Sequence, residues 1–404
     1  MAKRRSEAGD QVADLLRTAK DALGLSVGFL TRMDGTTQHL EVVESAVPFL
    51  LRDGVTQPQE TSFCQAVLNG TLPAVIPDVT AYPAAMALPA ARIPRIRSYV
   101  SSPVVLSDGT LYGTFCAAGF TTNKALTKRD KALMDVLAHA ASVIIEPGVR
   151  ESARQAEITD RLTGVLTDGG PVVVLQPIVD LATGVRIGAE ALSRFPREWE
   201  MTPDLCFEEA HSVGEGDRLE LLALERAAEH LDRVSGYVAM NISPATLLTP
   251  EATQLLRRLP LDRVLLELSE HNAVEDYDAL TAVLAPLRAD GMRLAIDDVG
   301  AGFSSLRHIV LTSPDVMKLD RSIVDGVSGD PVLTTLVRSL VAFGHDCGAH
   351  VVAEGIETPE DAAALLALGV DYGQGWHFGR PGPAEALADA YPVDPVRGLS
   401  RRGA

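Results

Sequence analysis

Cysteine is scarce in this chain. Four residues (Cys64, Cys116, Cys206 and Cys347) are scattered over 404 positions with no CxxC pair. That excludes a zinc ribbon and a disulfide-stapled frame, and it fits reduced thiols in a cytoplasmic protein. Positive charge is also short. The net charge of −18 excludes a broad DNA-binding face, so no DNA partner is expected. A phosphate ligand would need metal ions or local Lys and Arg to offset the field of the chain. Lys3, Arg4 and Arg5 are not followed by the apolar core of a signal peptide. No apolar run approaches the ~20 residues of a spanning helix, so no membrane partner is expected. Internal repeats and low-complexity segments are missing. So are a GxSxG elbow, an HExxH helix and a Walker A loop. The nine histidines form no ligand-spaced cluster. His271 and His377 read as loop or core residues.

What is present centres on the stretch from Arg293 to Ser305. An apolar run, Leu294-Ala295-Ile296, ends in Asp297-Asp298, and glycines and serines follow at once. The run reads as a buried strand. Adjacent aspartates at a strand end repel each other unless a cation sits between them. Gly300 and Gly302 permit a tight, mobile loop. Such a pair beside such a loop suits a hard metal ion and a lid. Taken alone, the stretch is equally compatible with a solvated Asp-Asp turn.

In chain order, Val12, Leu15, Leu16, Ala19 and Leu23 recur at helical spacing over residues 11–23. Strand-like runs follow at 26–31 and 39–44, joined by an Asp34-Gly35 hairpin signal. Residues 62–68 read as a short helix and 72–76 as a strand. Runs at 98–106 and 111–120 flank Asp108-Gly109, an antiparallel hairpin. Thr127 with Asp130 reads as the capping box of a helix interrupted near Pro147-Gly148. The first region is therefore an α+β unit, an antiparallel sheet with flanking helices. It resembles a GAF domain over residues 10–146, on Ser62-Phe63-Cys64-Gln65, on residues 72–78 and on residues 107–114. The resemblance implies a sensor unit for an unknown small ligand or signal. Cys64 could be a redox or ligand contact, but it reads more simply as a small buried hydrophobe. Residues 147–169 read as a connecting helix.

From residue 170 one arrangement repeats: an apolar run ending in a polar residue. The ends are Gln176, Glu190, Asn241, Glu267, Asp297 with Asp298, Lys318, Glu354 and Gln374. Helical patterns lie between most of them. Alternation over about 230 residues predicts a parallel (β/α)8, TIM-like barrel whose strand ends converge on one rim. The set is rich in oxygen, which suits Mg²⁺ or Mn²⁺ rather than zinc. Two ions could clamp a phosphodiester. Arg194 could grip a phosphate bidentately.

Residues 170–390 resemble an EAL domain, a cyclic di-GMP phosphodiesterase, with residues 391–404 as a tail. The carrying motifs stand in family order: Gln176-Pro177-Ile178-Val179, Glu190-Ala191-Leu192 with Ser193 and Arg194, Asn241-Ile242-Ser243, Glu267-Leu268-Ser269-Glu270, Asp297-Asp298, Lys318-Leu319-Asp320, residues 353–358, and Gln374-Gly375. The resemblance implies metal ligation by Glu190, Asn241, Glu267, Asp297, Asp298 and Glu354, with Glu354 alternatively the general base. It implies that Lys318 orients the water, that Gln176, Leu192, Arg194 and Asp320 contact substrate, and that Glu357 and Gln374 help place water or substrate. Glu270 would tie the loop after Asp298 to the site. Val299, Ala301, Phe303 and Trp376 depart from the family pattern, but none is a metal ligand. The implied reaction opens cyclic di-GMP to linear pGpG in a homodimer with two Mg²⁺ or Mn²⁺ ions per site. The alternative is a non-catalytic cyclic di-GMP receptor that signals to a protein partner.

Overall fold

The computed structural model describes residues 5–45, 51–269, 274, 276–300 and 305–388. Glu270, His271, Ala301, Phe303 and residues 391–404 lie outside the described residues. The chain divides into two compact units between Arg154 and Gln155.

In the first unit six strands form one sheet: β1 (Val27–Met33), β2 (Thr37–Ser45), β3 (Thr56–Pro58), β4 (Val75–Ile76), β5 (Ser98–Val105) and β6 (Leu111–Gly119), in the order β3-β2-β1-β6-β5-β4. All pairings are antiparallel. Both expected hairpin turns are present. Asp34 Oδ1 accepts from the Thr36 and Thr37 amides, and Asp108 Oδ1 accepts from the Thr110 amide. Strand alternation splits the side chains between two cores. Leu30, Val100, Phe115 and Ala117 meet Leu16 of the helix Glu7–Ala22 and Met134 and Ala138 of the helix Lys128–Thr167. On the other side, Phe29, Tyr99, Cys116 and Ala118 meet Phe63 and Cys64 of the short helix Phe63–Leu68.

The helix expected to break near Pro147-Gly148 does not. Lys128–Thr167 is one helix of 40 residues with Pro147 inside it. Pro147 removes one helical hydrogen bond, at a cost of ~3 kcal/mol. Burial before and after it offsets that cost: Met134, Ala138 and Ala141 on one side of the proline, Ile158, Leu162 and Leu166 on the other. Met134, Ile158, Leu162 and Leu166 contribute roughly 1.5–3 kcal/mol each. Among the described residues this helix alone is long and apolar enough to cross a membrane by length and composition, with a window of mean hydropathy 1.4.

The second unit is a closed barrel of β7 (Val172–Asp180), β8 (Arg186–Arg194), β9 (Tyr237–Asn241), β10 (Val264–Ser269), β11 (Arg293–Val299), β12 (Val316–Leu319), β13 (His350–Ala353) and β14 (Tyr372–Gly373). The sequence predicts a parallel barrel, but one strand departs from it. β7 runs antiparallel to both its neighbours, β8 and β14, and the other pairings are parallel. The cause is the link between β7 and β8, residues 181–185, far short of the dozen residues a parallel crossover needs. Asp180 Oδ1 accepts from the Ala182 and Thr183 amides and sets the turn. Ile178, Tyr237, Leu265, Val316 and Val352 fill the interior. A larger apolar layer lies between the strands and the surrounding helices.

Candidate active site

Glu190, Glu267, Asp297 and Lys318 are buried, although they come from four different strands. Lys318 is the centre. Its Nζ lies 2.5 Å from Glu354 Oε1, 3.0 Å from Glu267 Oε2, 3.2 Å from Asp297 Oδ2 and 3.6 Å from Glu190 Oε1. Parallel pairing produces this convergence. Glu267 is opposite Asn241 in the β9–β10 ladder, and Ser269 is opposite Asp297 in the β10–β11 ladder.

The Asp297-Asp298 pair needs more than a strand end. Neighbouring residues of a regular strand point to opposite faces. Here the β11–β12 register shifts between Ile296 and Val299, and Asp298 takes a left-handed φ of +58°. A bulge of this kind re-aims side chains, and Asp tolerates the left-handed region better than most residues. As a result, Asp297, Asp298 and Glu354 offer ligand atoms within 4.8 Å of one another. Glu190, Glu267 and Asp297 form a second such triad. The two triads share Asp297.

Among the described residues the charges of this cluster do not balance: four carboxylates face one ammonium. Burial works to discharge Lys318, but Asp297, Glu190, Glu267 and Glu354 outweigh it and hold its pKa well above the usual value. Burial, only partly opposed by Lys318, pushes Glu267 well above the carboxylate range. Burial and then Asp297 do the same to Glu354. Glu190 is held low, because Lys318 and hydrogen bonds from Gln374 and Asn241 overcome its burial. Among the described residues the buried Glu267 Oε1 has no hydrogen-bond partner. An unpaired carboxylate oxygen in an all-oxygen, over-negative cluster fits hard divalent cations.

Around this centre, Asn241 Nδ2 donates to Glu190 Oε1 at 3.2 Å, and Gln374 Nε2 donates to Gln176 Oε1 at 3.1 Å and to Glu190 Oε2. Gly375 permits that approach. A Cβ there would sit 2.1 Å from the Ile356 carbonyl oxygen, and its φ is +155°. Gln176, Glu190, Leu192, Glu354, Glu357 and Gln374 line a cleft of about 230 Å³. Of the six residues expected to contact or place substrate, Arg194 and Asp320 are not among those lining it. Arg194 is two residues beyond Leu192, bonds the Ser193 carbonyl and lines a separate cleft beside Val172 and Arg226. Asp320 caps the helix Arg321–Val324 by accepting from the Ser322 amide at 2.9 Å. Glu270 is outside the described residues. His377 is exposed and packs edge-on against Phe378.

Sequence reasoning missed Arg321, which lines the cleft and pairs with Glu357 at 2.8 Å. Trp376, noted only as a departure, also lines it, with the Arg380 guanidinium 4.0 Å from its ring centroid. The available signal was position, since both residues follow polar strand ends by two or three places.

Comparison with known proteins agrees with this geometry. Residues 10–146 match the GAF domain and residues 159–381 the EAL domain. The probable cyclic di-GMP phosphodiesterase PdeB of Escherichia coli is 29% identical over 239 residues, 56% of this chain and 45% of PdeB. The bifunctional diguanylate cyclase/cyclic di-GMP phosphodiesterase MucR of Pseudomonas aeruginosa is 31% identical over 230 residues, 54% of this chain and 34% of MucR. The chain thus spans less than half the length of these two relatives. A solved structure of the PaMucR phosphodiesterase with c-di-GMP superimposes with a TM-score of 0.51 at 29% identity, covering 57% of this chain and 99% of that one. With more than half of its 404 residues matched and an acidic barrel rim built around one lysine, the chain belongs to the EAL domain family, its EAL domain following a GAF domain.

Proposed function

We propose that the protein is a metal-dependent phosphodiesterase that hydrolyses cyclic di-GMP to linear pGpG under the control of its GAF domain. The observation that carries this reading is the pair of carboxylate triads around Lys318. Glu190, Asn241, Glu267, Asp297, Asp298 and Glu354 would hold Mg²⁺ or Mn²⁺, in our reading two ions. Such ions, when bound, neutralise phosphodiester charge and make a bound water more acidic. Lys318 orients the attacking water, and Glu354 accepts its proton. The water oxygen bonds to one phosphorus, one P–O ester bond breaks, and the departing ribose oxygen takes up a proton. Gln176, Leu192, Glu357 and Gln374 meet the substrate in the cleft. Arg194 joins them only by leaving the Ser193 carbonyl. Asp320 reaches substrate only by giving up its helix-capping role, and Glu270 ties the loop after Asp298 to the site.

We assign residues 10–146 to the sensor, 147–169 to a connecting helix and 170–390 to the catalytic domain. We place the protein in the cytoplasm as a homodimer whose GAF domain takes a small ligand. The four free cysteines support the compartment.

The test is incubation with cyclic di-GMP and Mg²⁺, with and without chelator, followed by separation of the products. Chelator-sensitive pGpG, absent in Glu190→Ala, is the expected result. Tight binding without turnover in both Mg²⁺ and Mn²⁺ would replace this reading with a non-catalytic receptor.

A further inference from the structure

Cys64 is buried in an apolar core, as its sequence context predicts, and its sulfur also has polar neighbours. Its Sγ lies 3.6 Å from the Sγ of Cys116, 52 residues away and equally buried. The Tyr99 hydroxyl bridges the two sulfurs, 3.2 Å from Cys64 and 3.1 Å from Cys116. Cys116 Sγ also contacts Thr114 Oγ1 at 3.2 Å and Ser101 Oγ at 3.5 Å. Thr31 Oγ1 extends the cluster, 2.8 Å from Thr114 Oγ1. Gln38 is fully buried beside it. Both thiols belong to the apolar core of Phe29 and Phe63, but on one side their sulfurs meet hydroxyls and each other rather than carbon.

From this geometry we infer that Cys64 and Cys116 form a reversible, peroxide-driven disulfide that fastens the helix Phe63–Leu68 to strand β6. Contact at 3.6 Å must close to the ~2 Å of a disulfide, a shift within reach of the two side chains. The ring also makes the thiols unequal. Burial acts to raise both. Around Cys64, hydrogen bonds from Cys116, Thr114, Tyr99 and Gln38 outweigh it and hold the thiol down at about 6, whereas Cys116 stays well above the usual range. Cys64 is therefore the attacking sulfur. Its thiolate takes the near oxygen of hydrogen peroxide, the O–O bond breaks, and the hydroxide released is protonated to water. Cys116 then attacks the Cys64 sulfenic sulfur, loses its thiol proton and expels the second oxygen as water. Two thiols and one peroxide give one disulfide and two waters. A dithiol reductant reverses the change by becoming a disulfide itself. The pair is buried, so its oxidant must be as small as hydrogen peroxide.

The full chain is treated with hydrogen peroxide, quenched, unfolded and alkylated, and its peptides are mapped. A parallel sample is unfolded before peroxide is added. The expected result is a fall from four alkylated thiols to two, with a Cys64–Cys116 peptide formed only in the folded sample and lost on dithiothreitol treatment. Exposed Cys347 is scored separately by its own peptide. In folded Cys116→Ser, Cys64 should be trapped as a sulfenic acid that reacts with dimedone. If that variant does not fold, the mapped wild-type peptide decides alone. Alkylation of both Cys64 and Cys116 after peroxide treatment of the folded chain would overturn the inference, as would a cross-link that appears equally in the unfolded sample.

Discussion

In the amino-terminal sheet the buried polar side chains are neutral: Thr31, Gln38, Ser98, Ser101, Ser102 and Thr114, with the thiols of Cys64 and Cys116. In the barrel, Arg186, Glu190, Glu220, Glu267, Asp297, Asp315, Lys318 and Asp361 are buried. Burying a charge without compensation costs far more than burying a hydroxyl, so buried charges are paired or await a metal. Asp315 is paired, accepting from Arg288 at 3.0 Å. The rim cluster around Lys318 is instead over-supplied with carboxylates. Excess buried charge thus points to cation and phosphate chemistry in one unit, and a neutral polar cluster around two thiols points to redox chemistry in the other.

The largest effect expected from breaking this contrast is at Lys318. Lys318→Met should lower turnover by ~10²–10³-fold, the range for losing one group that positions and electrostatically stabilises the reacting atoms. It should also destabilise the metal-free protein by ~3–5 kcal/mol, because the buried carboxylates lose the ammonium they share. Melting curves with chelator and with Mg²⁺ would test this, and Mg²⁺ should restore most of the loss. An unchanged melting temperature in chelator would show that the carboxylates need no internal cation.

Importing a charge into the neutral cluster tests the other side. Thr114→Asp should cost ~3–5 kcal/mol in denaturant unfolding, as an unpaired buried charge. The same residue placed at exposed Val143 should stay within ~0.5 kcal/mol of the parent. Equal effects would mean that the cluster is wetter than its burial implies.

Turn glycines should not distinguish the units. Gly109 has φ +87° and Gly184 has φ +69°, each with open space where a Cβ would go. Either Gly→Ala change should destabilise by about 1 kcal/mol through backbone strain alone.

The smallest effect lies at His211, whose Nε2 is 2.7 Å from Glu220 Oε1. That hydrogen bond raises the histidine pKa against the opposing effect of burial. A raised folded-state value means the stabilisation is complete below the unfolded value of ~6.5 and is lost as pH rises through the folded one. Stability measured from pH 6 to 9 should therefore fall slightly more in the parent than in His211→Phe.

Much of this was legible in the sequence because it is local. Apolar runs ending in Glu190, Asn241, Glu267, Asp297, Lys318 and Glu354 mark strands and their rim whatever the strands pair with. The Asp34-Gly35 and Asp108-Gly109 turns carry their own hydrogen-bond acceptors. Thr127 and Asp130 cap the long helix as their spacing implies, the Thr127 amide donating to Asp130 and Thr127 Oγ1 accepting from the Arg129 amide. The short link between β7 and β8 was local too, and it could have revealed the antiparallel first strand.

By itself, then, the sequence determined which side chains are available, in what order, and on which kind of element, since propensity and periodicity act over a few residues. Tertiary structure alone decided that Asp297 and Asp298 both serve the rim, because the bulge depends on pairing with β12. It decided that Pro147 stays helical, because burial before and after it offsets the lost bond. It also brought Cys64 to Cys116, because only the docking of a helix on a sheet joins residues 52 apart.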